Sequence, residues 1–139
     1  MTSDMLGFGR SVLDSQPFSR LIGAELDVFE PGRAEISLVI ADHHRQQHGF
    51  VHGGVLAYLA DNALTYAGGS MLGDCLTAEF KINYLRPAKG ERLVARAKVA
   101  SGGKRLAACT CEIVTVSGDG ETVVAIAQGT IARIDGEKS

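Results

Sequence analysis

No apolar run in this 139-residue chain approaches the roughly 18 residues that a membrane-spanning helix needs. The first twenty residues, "MTSDMLGFGRSVLDSQPFSR", lack the basic start and apolar middle of a secretory leader. Cysteine is scarce: Cys75, Cys109 and Cys111 are the only three, and none stands in CxxC spacing. An odd number of thiols without a leader fits reduced cysteines in a cytoplasm, filling core space as small apolar side chains. Excess charge is lacking as well. The formal net charge is -2, which provides no bulk attraction for nucleic acid. Repeats, linkers and low-complexity segments are absent. The expectation is a single domain over 1–139 with one core, residues 1–20 forming a helical lead-in.

What is present is ordinary globular sequence, 45% hydrophobic and 22% charged. Ser3 to Leu13 can form a short amphipathic helix ended by Pro17, and "PFSRLIG" another turn closed by Gly23. "AELDVFEPGRAEISLVI" is expected to make two strands around a Pro31-Gly32 turn. In the second, Ala34, Ile36, Leu38 and Ile40 alternate with Glu35, Ser37 and Val39, so one face is buried. "ADHHRQQHGF" follows as a polar loop. Val55 to Ala67 is the long helical candidate, with Leu56, Leu59, Ala60, Ala63 and Ala67 at helical spacing. Its alanines admit a close sheet, and its apolarity predicts burial nearly all round. Beyond the glycines at 68, 69 and 73, strands are expected at Leu76–Leu85, Arg92–Ala100, Arg105–Val116 and Thr122–Ile134, in meander style. Their connections, "RPAKGE", "SGGK" and "SGDGE", have turn composition. The sum is an α+β domain, a sheet wrapping one apolar helix.

The chemistry concentrates in "QQHGFVHGGVLAYLADNALTYAG". Gly54, Tyr58, Asp61 and Thr65, at i, i+4, i+7 and i+11, form one helical stripe that collects the polar groups. A carboxylate there is either a solvated or structural acid, or a group held in a pocket. The Gly53-Gly54 pair is, taken alone, most often a tight loop-to-helix turn. It also lets a ligand approach the first free N–H donors, where the helix dipole suits an oxygen that gains negative charge. A donor cluster and a carboxylate are the two parts of acyl-transfer hydrolysis, an oxyanion site and a base or nucleophile.

His52-Gly53-Gly54, followed nine residues after the histidine by Asp61 in "LADNA", resembles the acyl-CoA thioesterases of the hot-dog fold. The similarity is closest to the phenylacetate-pathway (PaaI-like) branch of the 4-hydroxybenzoyl-CoA thioesterase superfamily. "GAELDVFEPGRAEISLVI", "LTAEFKINYLRPAKGE" and "SGGKRLAACTCEIV" extend it over nearly the whole chain. The resemblance implies an antiparallel sheet of about six strands around one long helix. It implies Asp61 as general base or nucleophile, and Gly54 as the N–H that polarises the thioester carbonyl. Gln46 would assist at that oxygen, and His52 would hold the loop and contact substrate. Thr77 would hold the attacking water. Gly53, Asn62 and Tyr58 would lie against the substrate. The "SGGKRL" turn contains no Walker motif and in isolation is a hairpin turn with solvated cations. In relatives it meets coenzyme A phosphates, which implies the same for Gly103, Lys104 and Arg105, with Arg86 and Lys89 near the same mouth.

His43, His44 and His48 match no recognised ligand spacing, so no metal and no cofactor is expected. Ser70 in "GGSMLG" lacks the GxSxG pattern. Tyr58, Tyr66, Phe50, Phe80 and Leu64 are candidates for an acyl pocket, or simply core. Two alternatives share the fold. A hydratase or dehydratase resembles an Asp-x-Asn-x-x-His pattern that "ADHHRQQH" does not match. A non-catalytic acyl-thioester binder resembles the transcriptional sensors of this fold, which carry an added DNA-binding region, and the expectation is that about twenty residues before the first strand leave little room for one. Helix geometry adds a constraint. Asp61 lies seven residues after Gly54, about 10 Å along the axis, so one thioester carbon cannot meet both. A working site then needs Gly54 from one chain and Asp61 from another, in a two-fold homodimer that can pair again into a homotetramer.

Overall fold

A computed structural model describes residues 3–118 and 120–135. Two short helices come first, α1 (Ser3–Asp14) and α2 (Pro17–Ile22). Pro17 opens α2 rather than merely ending α1, because its missing N–H costs nothing at a first helical position. Gly23 closes α2 at φ 88°, a left-handed cap that favours glycine. Strands β1 (Glu25–Glu30) and β2 (Arg33–Val39) follow, joined through Gly32 at φ 81°. In β2 Ala34, Ile36 and Leu38 are fully buried as the alternation predicts, but Ser37, expected on the open face, is buried as well and accepts from Arg92 Nη2 at 2.7 Å.

Helix α3 (Gly53–Leu72) runs two residues earlier and five later than the apolar pattern suggests. Gly68 and Gly69 do not end it; Gly73 does, its N–H bonding Gly69 O. Gly68 serves packing. A Cβ there would meet Ile131 side-chain atoms at 2.7–2.9 Å, so only glycine lets the helix cross the sheet at that point. Ala60, Ala63 and Ala67 are likewise fully buried. The expectation of burial nearly all round is corrected. Half of the twenty residues are buried, while Tyr58, Asp61, Asn62, Thr65 and Gly69 are half-buried on a stripe that the sheet leaves uncovered.

The remaining strands are β3 (Cys75–Tyr84), β4 (Arg92–Gly102), β5 (Leu106–Ser117) and β6 (Gly120–Arg133). One antiparallel sheet orders them β1-β2-β4-β5-β6-β3 and curls around α3, the arrangement that the resemblance implies. The expected meander holds only for β4, β5 and β6. β3 crosses to the far edge and pairs with β6, with Leu76 opposite Ala132 and Tyr84 opposite Ala125. Strand lengths and turn composition are local signals and carry no strand order. Among the described residues β3 has no second neighbour, so its outer edge is open, with Leu76 and Tyr84 more than half exposed. No helix among them is long and apolar enough to cross a membrane.

Candidate active site

At the start of β3 the sheet edge delivers Thr77 to the uncovered stripe of α3. Thr77 Oγ1 donates to Asp61 Oδ1 at 2.6 Å. Thr65, one turn beyond Asp61, places its hydroxyl 2.8 Å from Thr77 Oγ1 and 2.7 Å from Asp61 O. With the Thr77 proton committed to the carboxylate, the single Thr65 proton is shared between Asp61 O and Thr77 Oγ1. A carboxylate, two hydroxyls and one direction of donation therefore form a small fixed array, half-buried beside an open strand. A cavity of about 250 Å³ opens over it, walled by Phe18, Ser19, Tyr58, Asn62 and Leu76.

Behind Asp61 lies a polar network absent from the sequence-based expectations. Tyr58 OH and buried Ser19 Oγ are 2.5 Å apart, and Ser19 also donates to Gln16 Oε1 at 2.6 Å. Asn62 Nδ2 donates to Tyr58 OH at 3.0 Å and to Gln16 Oε1 at 3.3 Å. This ties α2 and the residue before it to α3 and fixes the wall of the cavity. Burial raises the Tyr58 phenol, with the Ser19 and Asn62 bonds opposing, so the phenol stays a neutral hydroxyl. Burial, with Asp74 nearby, also raises the Cys75 thiol, whose Sγ lies 3.6 Å from Thr65 O. The only signals for Ser19 and Gln16 are a Ser and a Gln flanking Pro17, too common to mark a site.

The other expected residues gather at the opposite end of α3. Gly54 N–H donates to His52 Nδ1 at 2.8 Å, so the histidine caps the helix through the donor assigned to the substrate. Gln46 Oε1 accepts from His48 N at 2.7 Å and Phe50 N at 3.2 Å, holding the loop before the helix. Gly53 O accepts from Tyr84 OH at 3.1 Å, which anchors the helix start to the end of β3. Arg86 and Lys89 wall a cavity of about 550 Å³ at this end, together with Phe50. His44 is a buried structural residue: Nδ1 accepts from Ala41 N, which leaves Nε2–H for Ile22 O at 2.8 Å. Exposed His43 packs against its ring.

Gly103, Lys104 and Arg105 form the β4–β5 turn, and Arg105 is paired with Asp135 at 2.7 Å. Leu106 stands opposite Ala132, which stands opposite Leu76, so this turn shares the Asp61–Thr77 end of the sheet. The expectation that Arg86 and Lys89 border the same mouth therefore fails within one chain. They lie at the far end of β5, roughly 35–40 Å along its twelve residues. Of the candidate acyl contacts, Leu64 is fully buried core and Phe80 packs against the core. Tyr66 borders a separate apolar cleft.

A family model described as Thioesterase superfamily matches residues 48–122. Acyl-coenzyme A thioesterase 13 of Homo sapiens is 30% identical over 111 residues, covering 77% of this chain and 79% of that protein. Acyl-coenzyme A thioesterase PaaI of Escherichia coli is 28% identical, covering 91% of this chain and 89% of its own. The crystal structure of a thioesterase family protein from Silicibacter pomeroyi superposes with a TM-score of 0.87 at 32% identity, covering 95% of this chain and 97% of that one.

Proposed function

This chain belongs to the thioesterase superfamily, and from that premise we propose that it hydrolyses a small to medium aryl- or alkyl-acyl-CoA to the free acid and CoA. The observation that carries the reading is the Asp61 carboxylate, held by Thr77, which Thr65 braces in turn, beside an open edge. Asp61 takes a proton from water, or attacks the carbonyl itself, while Thr77 fixes the orientation of its carboxylate. In the first case the water oxygen forms the C–O bond as the C–S bond breaks, and the proton held by Asp61 passes to the departing sulfur. In the second Asp61 displaces the thiolate to form a mixed anhydride, which water then cleaves to the free acid, restoring the carboxylate and releasing the proton that the thiolate takes up. Asn62 and Tyr58 wall the site, and the chemistry asks for no metal or cofactor.

The carbonyl oxygen needs donors, and Gly54 is at the wrong end of its own helix. Two-fold pairing of the open β3 edges supplies them. Antiparallel pairing sets the Thr77 end of one strand beside the Tyr84 end of the other, and Tyr84 holds the start of α3. The partner's Gly54 then comes to Asp61, with the partner's Gln46, both of whose hydrogen bonds use Oε1, offering Nε2. The His52 ring, exposed to solvent, swings off the Gly54 N–H as the oxygen arrives. The same pairing sets the partner's Arg86 and Lys89 beside Gly103, Lys104 and Arg105, one basic rim for a polyanionic coenzyme handle. Two such dimers can pair into a tetramer, and a cytoplasmic setting supplies the coenzyme.

Release of free thiol from a panel of acyl-CoA and carrier-protein thioesters tests this reading. Asp61→Asn should lower turnover by roughly 10²–10⁴ with the fold intact. Tight binding of acyl-CoA without thiol release would instead indicate a non-catalytic binder.

A further inference from the structure

Beside the Asp61 cavity a second space of about 430 Å³ runs beneath α1. The two share Gln16, Asn62, Thr65 and Cys75, so they are neighbouring chambers with a common wall. On α3 the second chamber follows Asn62, Thr65, Tyr66 and Gly69 and continues to Gly73. That is one helical stripe, about 16 Å long from Asn62 to Gly73. Phe8 and Val12 of α1 overhang it, Phe8 itself 66% exposed, and Phe29 of β1 closes the side. The polar atom of Tyr66 is already used, its OH donating to Gly9 O at 2.9 Å, so the ring offers the chamber only apolar surface.

The overhang is held at both ends. A Cβ on Gly9 would meet Leu26 and Phe29 at 2.6 Å, so glycine lets α1 seat directly on β1, where Arg10 Nε also donates to Leu26 O at 2.9 Å. At the other end Gln16 and Ser19 join the Asn62–Tyr58 network. Between these anchors the helices stand apart. Gly69 helps keep the gap, since a side chain there would meet Cys75 Sγ at 3.1 Å. None of α1 falls within residues 48–122, the part that matches the family model.

We infer that this chamber receives the acyl group of the substrate, and that it favours an apolar acyl chain of medium length, alkyl or aryl-alkyl, over acetyl. The inference rests on the thioesterase reading for the origin of the chain. An apolar cavity of about 150 Å³ takes one benzene ring, so this chamber admits considerably more. Its far mouth is bordered by Asp74, where a distal carboxylate would meet a like charge, so an acyl group carrying one is disfavoured.

The test plugs the chamber from opposite walls, with Val12→Trp from α1 and Gly69→Leu from α3, and widens it with Val12→Ala. The readout is the ratio of kcat/KM for octanoyl-CoA to that for acetyl-CoA. Both plugs should lower the ratio at least tenfold, and Val12→Ala should move the preferred length upward. A plug that only damaged the fold would lower both substrates together and leave the ratio unchanged. A second measurement needs no turnover: alkylation of Cys75, located by mass spectrometry, with octanamide as a neutral probe that Asp61 does not repel. Octanamide should slow alkylation severalfold in the wild type and not in the plugged variants. An unchanged ratio in both plugs, or a Cys75 that octanamide leaves unprotected, overturns the inference while thiol release by the wild type upholds the hydrolase. Protection of Cys75 without any thiol release upholds the chamber and overturns the hydrolase.

Discussion

Thr77→Val removes one hydroxyl and keeps the branched shape of the side chain. The lost contact is the 2.6 Å bond from Oγ1 to Asp61 Oδ1. A hydrogen bond to a charged group contributes about 1.5–3 kcal/mol. Asp61 is half-buried, so water replaces part of it and the lower end applies, roughly a tenfold loss in kcat/KM at 1.36 kcal/mol per decade. No donor is stranded, because Thr65 Oγ1 retains Asp61 O at 2.7 Å, so the thermal midpoint should shift little. Thr77→Ser restores a hydroxyl on the same backbone and should recover most of the loss. Steady-state thiol release from one acyl-CoA, with melting curves for all three proteins, decides it. A valine variant with more than half of wild-type kcat/KM, or a serine variant as poor as valine, refutes the role given to the hydroxyl.

Lys104→Ala with Arg105→Ala should raise KM for acyl-CoA severalfold with a smaller effect on kcat, whereas Asp135→Asn, which releases Arg105 from its 2.7 Å ion pair, should lower KM; unchanged KM in both removes the turn as the handle site. Gly68→Ala gains about 1 kcal/mol of helix propensity but forces a Cβ to 2.7 Å from Ile131, an overpacking cost of about 1–3 kcal/mol. The melting temperature should fall, and a rise would contradict the packing argument. Burial pushes the Cys109 thiol from 9.0 up to about 11 and the Cys111 thiol up to about 12. The folded state thus holds these protons longer than the unfolded chain, so their contribution to stability is complete below pH 9 and is lost as pH rises toward 11–12. The urea midpoint should accordingly fall between pH 8 and 10.5 in wild type, and fall less in Cys109→Ala.

Local periodicity carried most of the fold. The alternation through Ala34, Ile36 and Leu38 and the helical spacing through Leu59, Ala63 and Ala67 each correspond to a buried face. Glycine was ambiguous where it mattered: Gly68 has the composition of a helix stop but stands where Ile131 comes too close for any side chain. The placement of β3 on the outer edge was hidden because pairing with β6 joins residues about fifty positions apart. Within the site, the motif spacing singled out Asp61, and Thr77 was reached through the family resemblance; the structure brings the two together. Gln16 and Ser19 could not be found that way, since their partners Tyr58 and Asn62 lie some forty residues on. His52 illustrates a different limit. The motif names it, but only the folded loop shows that its ring caps the Gly54 N–H.

The shared site is tested most directly by mixing two inactive proteins. One is Asp61→Ala, the other Gln46→Ala with Gly54→Pro, and the two are unfolded and refolded together. In a mixed dimer one site collects every defect and the other collects none. Random pairing makes about half of the dimers mixed, so thiol release should return to about a quarter of wild type. Mixed dimers that form and release no thiol would contradict a site built from the Asp61 of one chain and the Gly54 of the other.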